Sequence, residues 1–265
     1  MLIAQITDLH ILPEGRLAFG HVDTAACLAR AVACLSALDP RPDLVVATGD
    51  LVDAGSAEEY GHLRRLLAPL DLPLFLLPGN HDSRDELARA FPDHAYLPRD
   101  GGFLQYCLED WPLRLIALDT IIPGEPGGRL CEQRLAWLGA RLAEQPERAT
   151  LIMMHHPPIA TGIAHMDAMA LETPERLAAI VRRHGNVARI ICGHDHRSIQ
   201  AGFAGTIASI APSTAHQVML DLTSDGEARF TLEPPGFHLH LWRPETGLVT
   251  HTAFTDAFPG PYPFD

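Results

Sequence analysis

Asp8 and His10 stand two residues apart, and so do His194 and His196. In extended backbone, residues i and i+2 project to one side, so each pair offers two metal-ligating side chains together. Between these pairs lie Gly49-Asp50, Gly79-Asn80-His81-Asp82 and His155-His156-Pro157-Pro158. Carboxylate, amide and imidazole donors in one set suit hard-to-borderline ions such as Mn²⁺, Zn²⁺ or Fe. Taken singly, each Asp or Asn is ordinary turn and cap chemistry. Position changes that reading, because each motif directly follows a short apolar run. The glycines before Asp50, Asn80 and His194 allow sharp turns and close backbone approach.

The apolar runs Leu2–Ile6, Leu44–Thr48, Leu74–Leu77, Leu113–Leu118, Leu151–Met154 and Arg189–Cys192 read as strands. Ala25–Leu38, Glu58–Leu67, Arg84–Phe91, Glu132–Leu142 and Pro174–His184 read as helices. In the first of these, Leu28, Ala31, Val32 and Leu35 keep helical spacing, and Asp23 is placed to cap it. Strands that are apolar throughout and separated by helices indicate an α/β layered fold with sheets covered on both faces. In such folds ligands gather outside the carboxyl ends of the strands, so the motif loops can converge on one site.

After Arg197 the helical periodicity fades. Thr206–Ile210, Gln217–Leu222, Ala228–Leu232, His238–Trp242 and Leu248–Thr252 read as strands, with Asp225-Gly226 as a hairpin turn. We divide the chain into residues 1–200, which carry the motifs, and residues 201–265, a β-rich completion packed on the same domain.

The order D-x-H, G-D, G-N-H-[DE], H, G-H-x-H resembles the signature of the calcineurin-like metallophosphoesterase superfamily, and all five elements stand within residues 8–196. The run Met1–Asp53, the Pro78–Asp82 turn, the Met154–Pro158 run and the patch His216-Gln217-Val218 look like the branch of class III cyclic-nucleotide phosphodiesterases and bacterial glycerophosphodiesterases, more the latter. The resemblance implies a four-layer α/β/β/α sandwich. It implies two divalent or trivalent ions, Fe, Mn, Zn or Co, as cofactors. The first would take Asp8, His10 and His196, the second Asn80, His155 and His194, and Asp50 would bridge them. It also implies a metal-dependent phosphodiester hydrolase in which a metal-bound hydroxide attacks phosphorus. Glycerophosphodiesters are the expected substrates, 3′,5′-cyclic nucleotides the runner-up, and phosphomonoesters a further alternative.

Bound ions acidify water, and a pair of them can clamp both the attacking and the leaving oxygen. Two divalent ions carry about four positive charges; Asp8, Asp50 and one hydroxide leave roughly +1. That local field would hold an anionic substrate on a chain of formal charge −13.

Adjacent His155 and His156 would face opposite sides if the strand continues. The H-x-P pattern of the resembled family makes His155 the ligand and leaves His156 to support or to the core. His81 is expected to act as general acid to the leaving group or to orient the phosphate. Its competing role is a hydrogen bond to a ligand. Asp195 is expected to point away, at the surface or as a cap, and Asp53 and Asp82 to serve turns or support ligands. His216 could line the site or sit satisfied in the core. His238 and His240 read as the polar face of a strand, and Cys27 and Cys34 as core thiols.

The balance of 20 Lys+Arg against 33 Asp+Glu argues against nucleic-acid polymers and anionic membranes as partners. A small-molecule phosphodiester is the partner expected. No signal-peptide pattern and no apolar stretch of membrane-spanning length is seen. Five scattered cysteines without a C-x-x-C pair fit a reducing compartment, so the cytoplasm is expected. Phe203, Phe230, Phe237, Trp242, Phe254 and Phe258 in residues 201–265 suggest apolar surface and a homo-oligomer.

Overall fold

The structure, a computed structural model, describes residues 1–264. The elements run β1 (Leu2–Ile6), α1 (Thr24–Ala37), β2 (Leu44–Thr48), α2 (Ala57–Leu67), β3 (Leu74–Leu77), α3 (Arg84–Ala90), β4 (Tyr106–Leu108) and β5 (Arg114–Ala117). They continue with α4 (Glu132–Glu144), β6 (Thr150–Met153), α5 (Ala164–Asp167), α6 (Pro174–Val181) and β7 (Val187–Cys192). The remainder is β8 (Ile199–Phe203), β9 (Thr206–Ile210), β10 (Gln217–Val218), β11 (Phe230–Thr231), β12 (Gly236–Arg243) and β13 (Gly247–Phe254). Asp23 does cap α1, accepting from the backbone N–H of Ala26 at 2.9 Å.

Two sheets form the middle of the molecule. One has the order β13-β12-β1-β2-β3, the other β4-β5-β6-β7-β9-β8. Within the first, β1, β2 and β3 are parallel and β12 and β13 add antiparallel strands. Within the second, β5, β6, β7 and β9 are parallel, with β4 and β8 as antiparallel edges.

Side-chain alternation shows how the layers stack. On β6, Leu151 and Met153 join a core with Ile3, Val46, Leu28 and Leu63, from the first sheet and its helices α1 and α2. Ile152, between them, joins the core under α4 and α6 with Leu138 and Leu177. Each strand residue therefore faces either the other sheet or the outer helices. The result is the four-layer α/β/β/α sandwich expected.

Residues after 198 supply strands to both sheets. β12 pairs with β1, Leu2 opposite Leu241, while β8 and β9 extend the second sheet beside β7. Phe237 is fully buried in the core, so it presents no apolar surface; Phe254 and Phe258 are exposed. The expected strands Gln217–Leu222 and Ala228–Leu232 shrink to the two-residue pair β10 and β11. Among the described residues no third strand lies beside them, and an isolated pair of strands is marginal in water. Edge strands β4 and β8 were not anticipated, because neither carries a long apolar run.

His238 and His240 do form the polar face of β12, but that face is fully buried against the second sheet. His240 bonds Gln5 Oε1 at 2.9 Å and Thr250 Oγ1 at 2.8 Å, and His238 bonds Ser198 Oγ at 3.0 Å. Gln5 also donates to the carbonyl of Cys192 in the opposite sheet. A buried polar layer thus joins the sheets. Cys27 is buried, whereas Cys34 is only half-buried. Among the described residues, no helix is long and apolar enough to cross a membrane.

Candidate metal centre

Asp8, His10, Asp50, His194 and His196 all have positive φ, at 53°, 44°, 49°, 78° and 51°. Left-handed backbone at a non-glycine residue costs about 1–3 kcal/mol and persists only where the surroundings over-determine it. Those surroundings are the strand-end loops lacing one another. The backbone N–H of Asp8 donates to the Gly49 carbonyl, and those of Leu9 and His10 both donate to the Asp50 carbonyl. The N–H of His194 donates to the Asp8 carboxylate at 3.0 Å, tying β7's loop to β1's loop across the two sheets. A Cβ on Gly193 would lie 2.0 Å from Thr7 Oγ1, and one on Gly79 would lie 2.2 Å from Asp50 Oδ1. Glycine is required at both by close approach.

These constraints collect donors into neighbouring groups. Single ligand atoms of Asp8, His10, Asp50 and His196 lie within 4.8 Å of one another, and so do those of His155, His156 and His194. Asp50 joins the groups. Its Oδ2 lies 3.6 Å from His10 Nε2, and its Oδ1 lies 3.4 Å from His155 Nε2. Asn80 Oδ1 approaches His155 Nε2 at 3.1 Å. His10 Nε2 and His196 Nε2 are 3.1 Å apart, and His196 Nε2 is 3.6 Å from Asp8 Oδ1.

The rings are oriented from behind. His155 Nδ1 donates to the Thr48 carbonyl and His196 Nδ1 to the His216 carbonyl, both at 2.9 Å. A carbonyl only accepts, so each ring keeps its proton on Nδ1 and turns the Nε2 lone pair inward. Asp53 sits 3.4 Å from His10 Nδ1 and does the same for that ring. His194 Nε2 is buried and, among the described residues, has no hydrogen-bond partner. Such an atom is costly unless something fills its place.

His156 differs from its neighbour. Its Nδ1 bonds Thr120 Oγ1 at 2.7 Å, and its Nε2 bonds the Pro126 carbonyl at 3.1 Å. Both ring nitrogens are used, and burial pushes its pKa down to about 3.

The charges do not balance within the protein. Burial, partly offset by His155, pushes the Asp8 carboxyl up to about 6. Burial works the same way on Asp50, but His155, with His81 and His10, holds it well below the usual carboxylate range. Burial opposes a charge on His155, yet Asp50 and Asp8 lift it to about 9. His194 and His196 are driven well below the ordinary value by burial and by neighbouring histidines. Among the described residues, neither Asp8 nor Asp50 pairs with an Arg or Lys. Buried carboxylates and inward imidazole lone pairs form a donor set that fits cations.

Supporting residues fall where their loops carry them. His81 Nδ1 donates to the Asp53 carbonyl at 2.6 Å, and its backbone N–H donates to Asp50 Oδ1 at 3.0 Å. Asp82 accepts from the N–H groups of Leu51 and Gly79 and from Tyr60 Oη. Asp195 is not at the surface. It is buried, and burial lifts its carboxyl to about 7. Arg84 is engaged in a two-pronged bond with Asp119, at 2.6 and 2.8 Å.

A cavity of about 290 Å³ opens over the donors, reached by His10, Asp50, Asn80, His81, His194 and His196. His216, which could have been core or wall, is part of its wall. Phe19, Met166, Met169, Arg229 and Phe230 are also part of that wall and are not signalled by the sequence. They carry no motif, and they lie on three segments far apart in the chain.

Residues 1–198 match the calcineurin-like phosphoesterase family, and the chain belongs to that family. A probable glycerophosphodiester phosphodiesterase of Arcobacter nitrofigilis is 40% identical over all of this chain and 97% of its own length. The 3′,5′-cyclic adenosine monophosphate phosphodiesterase of Escherichia coli K12 is 33% identical over 81% of this chain and 76% of its own. A dimetal phosphatase from Danio rerio shares the fold, with a TM-score of 0.61 at 18% identity, covering 97% of this chain and 99% of that one.

Proposed function

We propose that this chain is a binuclear-metal phosphodiesterase acting on small phosphodiesters, with glycerophosphodiesters preferred. One observation carries the reading: the two oxygens of Asp50 face two different donor groups, Oδ2 toward His10 and Oδ1 toward His155. On this reading Asp8, His10 and His196 hold one ion, Asn80, His155 and His194 hold the other, and Asp50 serves both. Fe, Mn, Zn and Co all suit these donors. The ions would acidify water and draw charge from the phosphoryl oxygens.

The chain's own groups do the rest. His81 Nδ1–H donates to the Asp53 carbonyl and Nε2 faces the cavity, so the doubly protonated ring would hand its Nε2 proton to the departing alcohol and be left with the Nδ1 proton. Backbone carbonyls hold the Nδ1 protons of His155 and His196, which leaves Nε2 of each as the atom that would face an ion. Asp82 and Asp53 hold loop and ring in place.

The full-length relative named for glycerophosphodiesters supports the preferred substrate. The relative named for cyclic adenosine monophosphate, and an aromatic cavity wall, favour 3′,5′-cyclic nucleotides as the second reading. With Arg84 occupied by Asp119, phosphomonoesters rank below both. Five free cysteines fit a reducing cytoplasm. Exposed Phe254, Phe258 and Tyr262 fit a homo-oligomer through residues 201–265.

The test is a substrate panel on Mn²⁺-loaded protein: glycerophosphoethanolamine, 3′,5′-cyclic AMP, bis(p-nitrophenyl) phosphate and p-nitrophenyl phosphate. Diester turnover well above monoester turnover is expected, with the glycerol diester leading. Faster turnover of the monoester, or no diester turnover with two ions bound, overturns it.

A further inference from the structure

We infer that the Phe19–Phe230 pair is a specificity-determining subsite that receives a planar aromatic ester group of the substrate. This rests on the diesterase reading and names a feature of the substrate that the donors around Asp50 do not determine; within that reading it favours the 3′,5′-cyclic nucleotides, whose base is a planar aromatic group, over the glycerophosphodiesters that the full-length relative supports. The two rings are stacked, with centroids 4.9 Å apart and planes 28° from parallel. His216 meets each of them edge-on, at 5.3 and 5.4 Å. The same His216 ring lies 4.7 Å from His196 and 5.6 Å from His10. The aromatic wall is thereby continuous with the donors.

The backbone of Phe19 gives an independent reason. His21 N–H donates to the Ala18 carbonyl at 3.0 Å, closing a four-residue turn around Phe19 and Gly20. Both central residues are left-handed, at 53° and 72°, which is the type I′ turn. Its first central position ordinarily takes Asn, Asp or Gly, because a bulky side chain is strained there. Phe19 breaks that local rule while remaining 64% exposed, so burial in the core does not explain its presence. What the strained turn achieves is a ring presented at the cavity over Phe230.

The rest of the wall says which ligand fits. Met166, Met169 and Val218 line the same cavity as the pair, apolar and suited to a flat ring. A quaternary ammonium group would also suit aromatic faces. Yet the wall carries Arg229 beside Phe230, and its one carboxylate, Asp50, is turned to the donor groups. The Arg229 guanidinium is itself paired with Glu227, so no unpaired carboxylate of the wall faces the rings to receive a cation, and the wall favours a neutral aromatic group.

Calorimetric titration of the Mn²⁺-loaded protein tests this without turnover. The probes are methyl phosphate, phenyl phosphate and phosphocholine. The wild type is expected to bind phenyl phosphate about tenfold more tightly than methyl phosphate, the scale of one lost stacking contact. That ratio should collapse toward one in Phe230→Ala and in Phe19→Asn. Phe19→Asn also restores an ordinary type I′ residue, so its melting temperature should equal or exceed that of the wild type. A ring kept for structure would instead lower it. Phe258→Ala, an exposed aromatic outside the cavity, should leave the ratio as it was. Equal affinities for phenyl and methyl phosphate in the wild type overturn the inference, as does a ratio that survives in both variants. Phosphocholine binding as tightly as phenyl phosphate, and weakened by the same variants, overturns the aromatic assignment. Failure to hydrolyse any diester would sink the diesterase reading while leaving these affinities measurable.

Discussion

The Asp82 carboxylate accepts the backbone N–H of Leu51 at 3.1 Å, so the loop that carries Asn80 holds the loop that carries Asp50. The same carboxylate closes its own turn through Gly79 and takes the hydroxyl of buried Tyr60. Asp82 is therefore placed to set the spacing of two ligand loops without touching an ion. Asp82→Asn should keep two ions at saturation but weaken metal affinity by about 10–100-fold, the usual cost of losing such a support. Metal titration followed by calorimetry reads this. Loss of one ion at saturation would instead make Asp82 a ligand.

Neighbouring histidines separate by their hydrogen bonds. His155 Nε2 is turned toward Asp50 and Asn80, whereas both nitrogens of His156 are taken by Thr120 and Pro126. His155→Ala should lose metal. His156→Ala should retain metal stoichiometry and lose stability, by about 1–3 kcal/mol for the partners left unsatisfied. Elemental analysis and urea unfolding on the same preparations decide it. Equal metal loss in both would leave no ground for preferring His155.

Asp50→Ala removes the carboxylate that faces both donor groups. Diesterase activity should fall by several orders of magnitude with the circular-dichroism spectrum preserved. Near-normal turnover at full metal occupancy would refute the shared-ligand assignment.

His81 can be tested through the leaving group. An alkoxide such as that of glycerol needs a proton as the bond breaks, whereas p-nitrophenolate needs little help. General acids contribute about 10²–10⁴-fold where protonation limits the rate. His81→Ala should therefore slow glycerophosphoethanolamine far more than bis(p-nitrophenyl) phosphate, with metal content unchanged. Equal slowing of both would make His81 a positioning residue.

The buried polar layer makes stability depend on pH. Burial pushes His238 down to about 4, and His240 well below its usual value. Facing them are Arg189 from β7, Gln5 from β1, Thr250 and Thr252 from β13, and Ser198. An unfolded histidine titrates near 6.5, so between about 6.5 and 4 the unfolded chain binds a proton that folded His238 refuses. Stability is full above this window and falls as pH drops through it, by up to about 1.4 kcal/mol per pH unit. His238→Gln should lose less over the same range. A stability difference between the two proteins that stays constant from pH 6.5 to 4 would contradict this.

The sequence alone carried the ligand types, their order and their place at the ends of apolar strands. That was legible because a sheet covered on both faces leaves only its strand ends for polar loops, and the motifs are local in the chain. Tertiary structure decided what depends on distant partners. Whether the polar face of β12 met water or a second sheet could not be read from the alternation of His238 and His240, which is the same in either case. Asp195 is buried although it stands between two motif histidines in a polar loop, because the packing around that loop, and not its own sequence, sets its exposure. His155 and His156 are told apart physically by Thr48, Thr120 and Pro126, all remote in sequence. The Phe19–Phe230 wall joins positions more than two hundred residues apart through a turn whose sequence, Ala18-Phe19-Gly20-His21, argues against its own geometry. Local propensity reports the average preference of a segment. The surrounding packing sets the conformation it is held in.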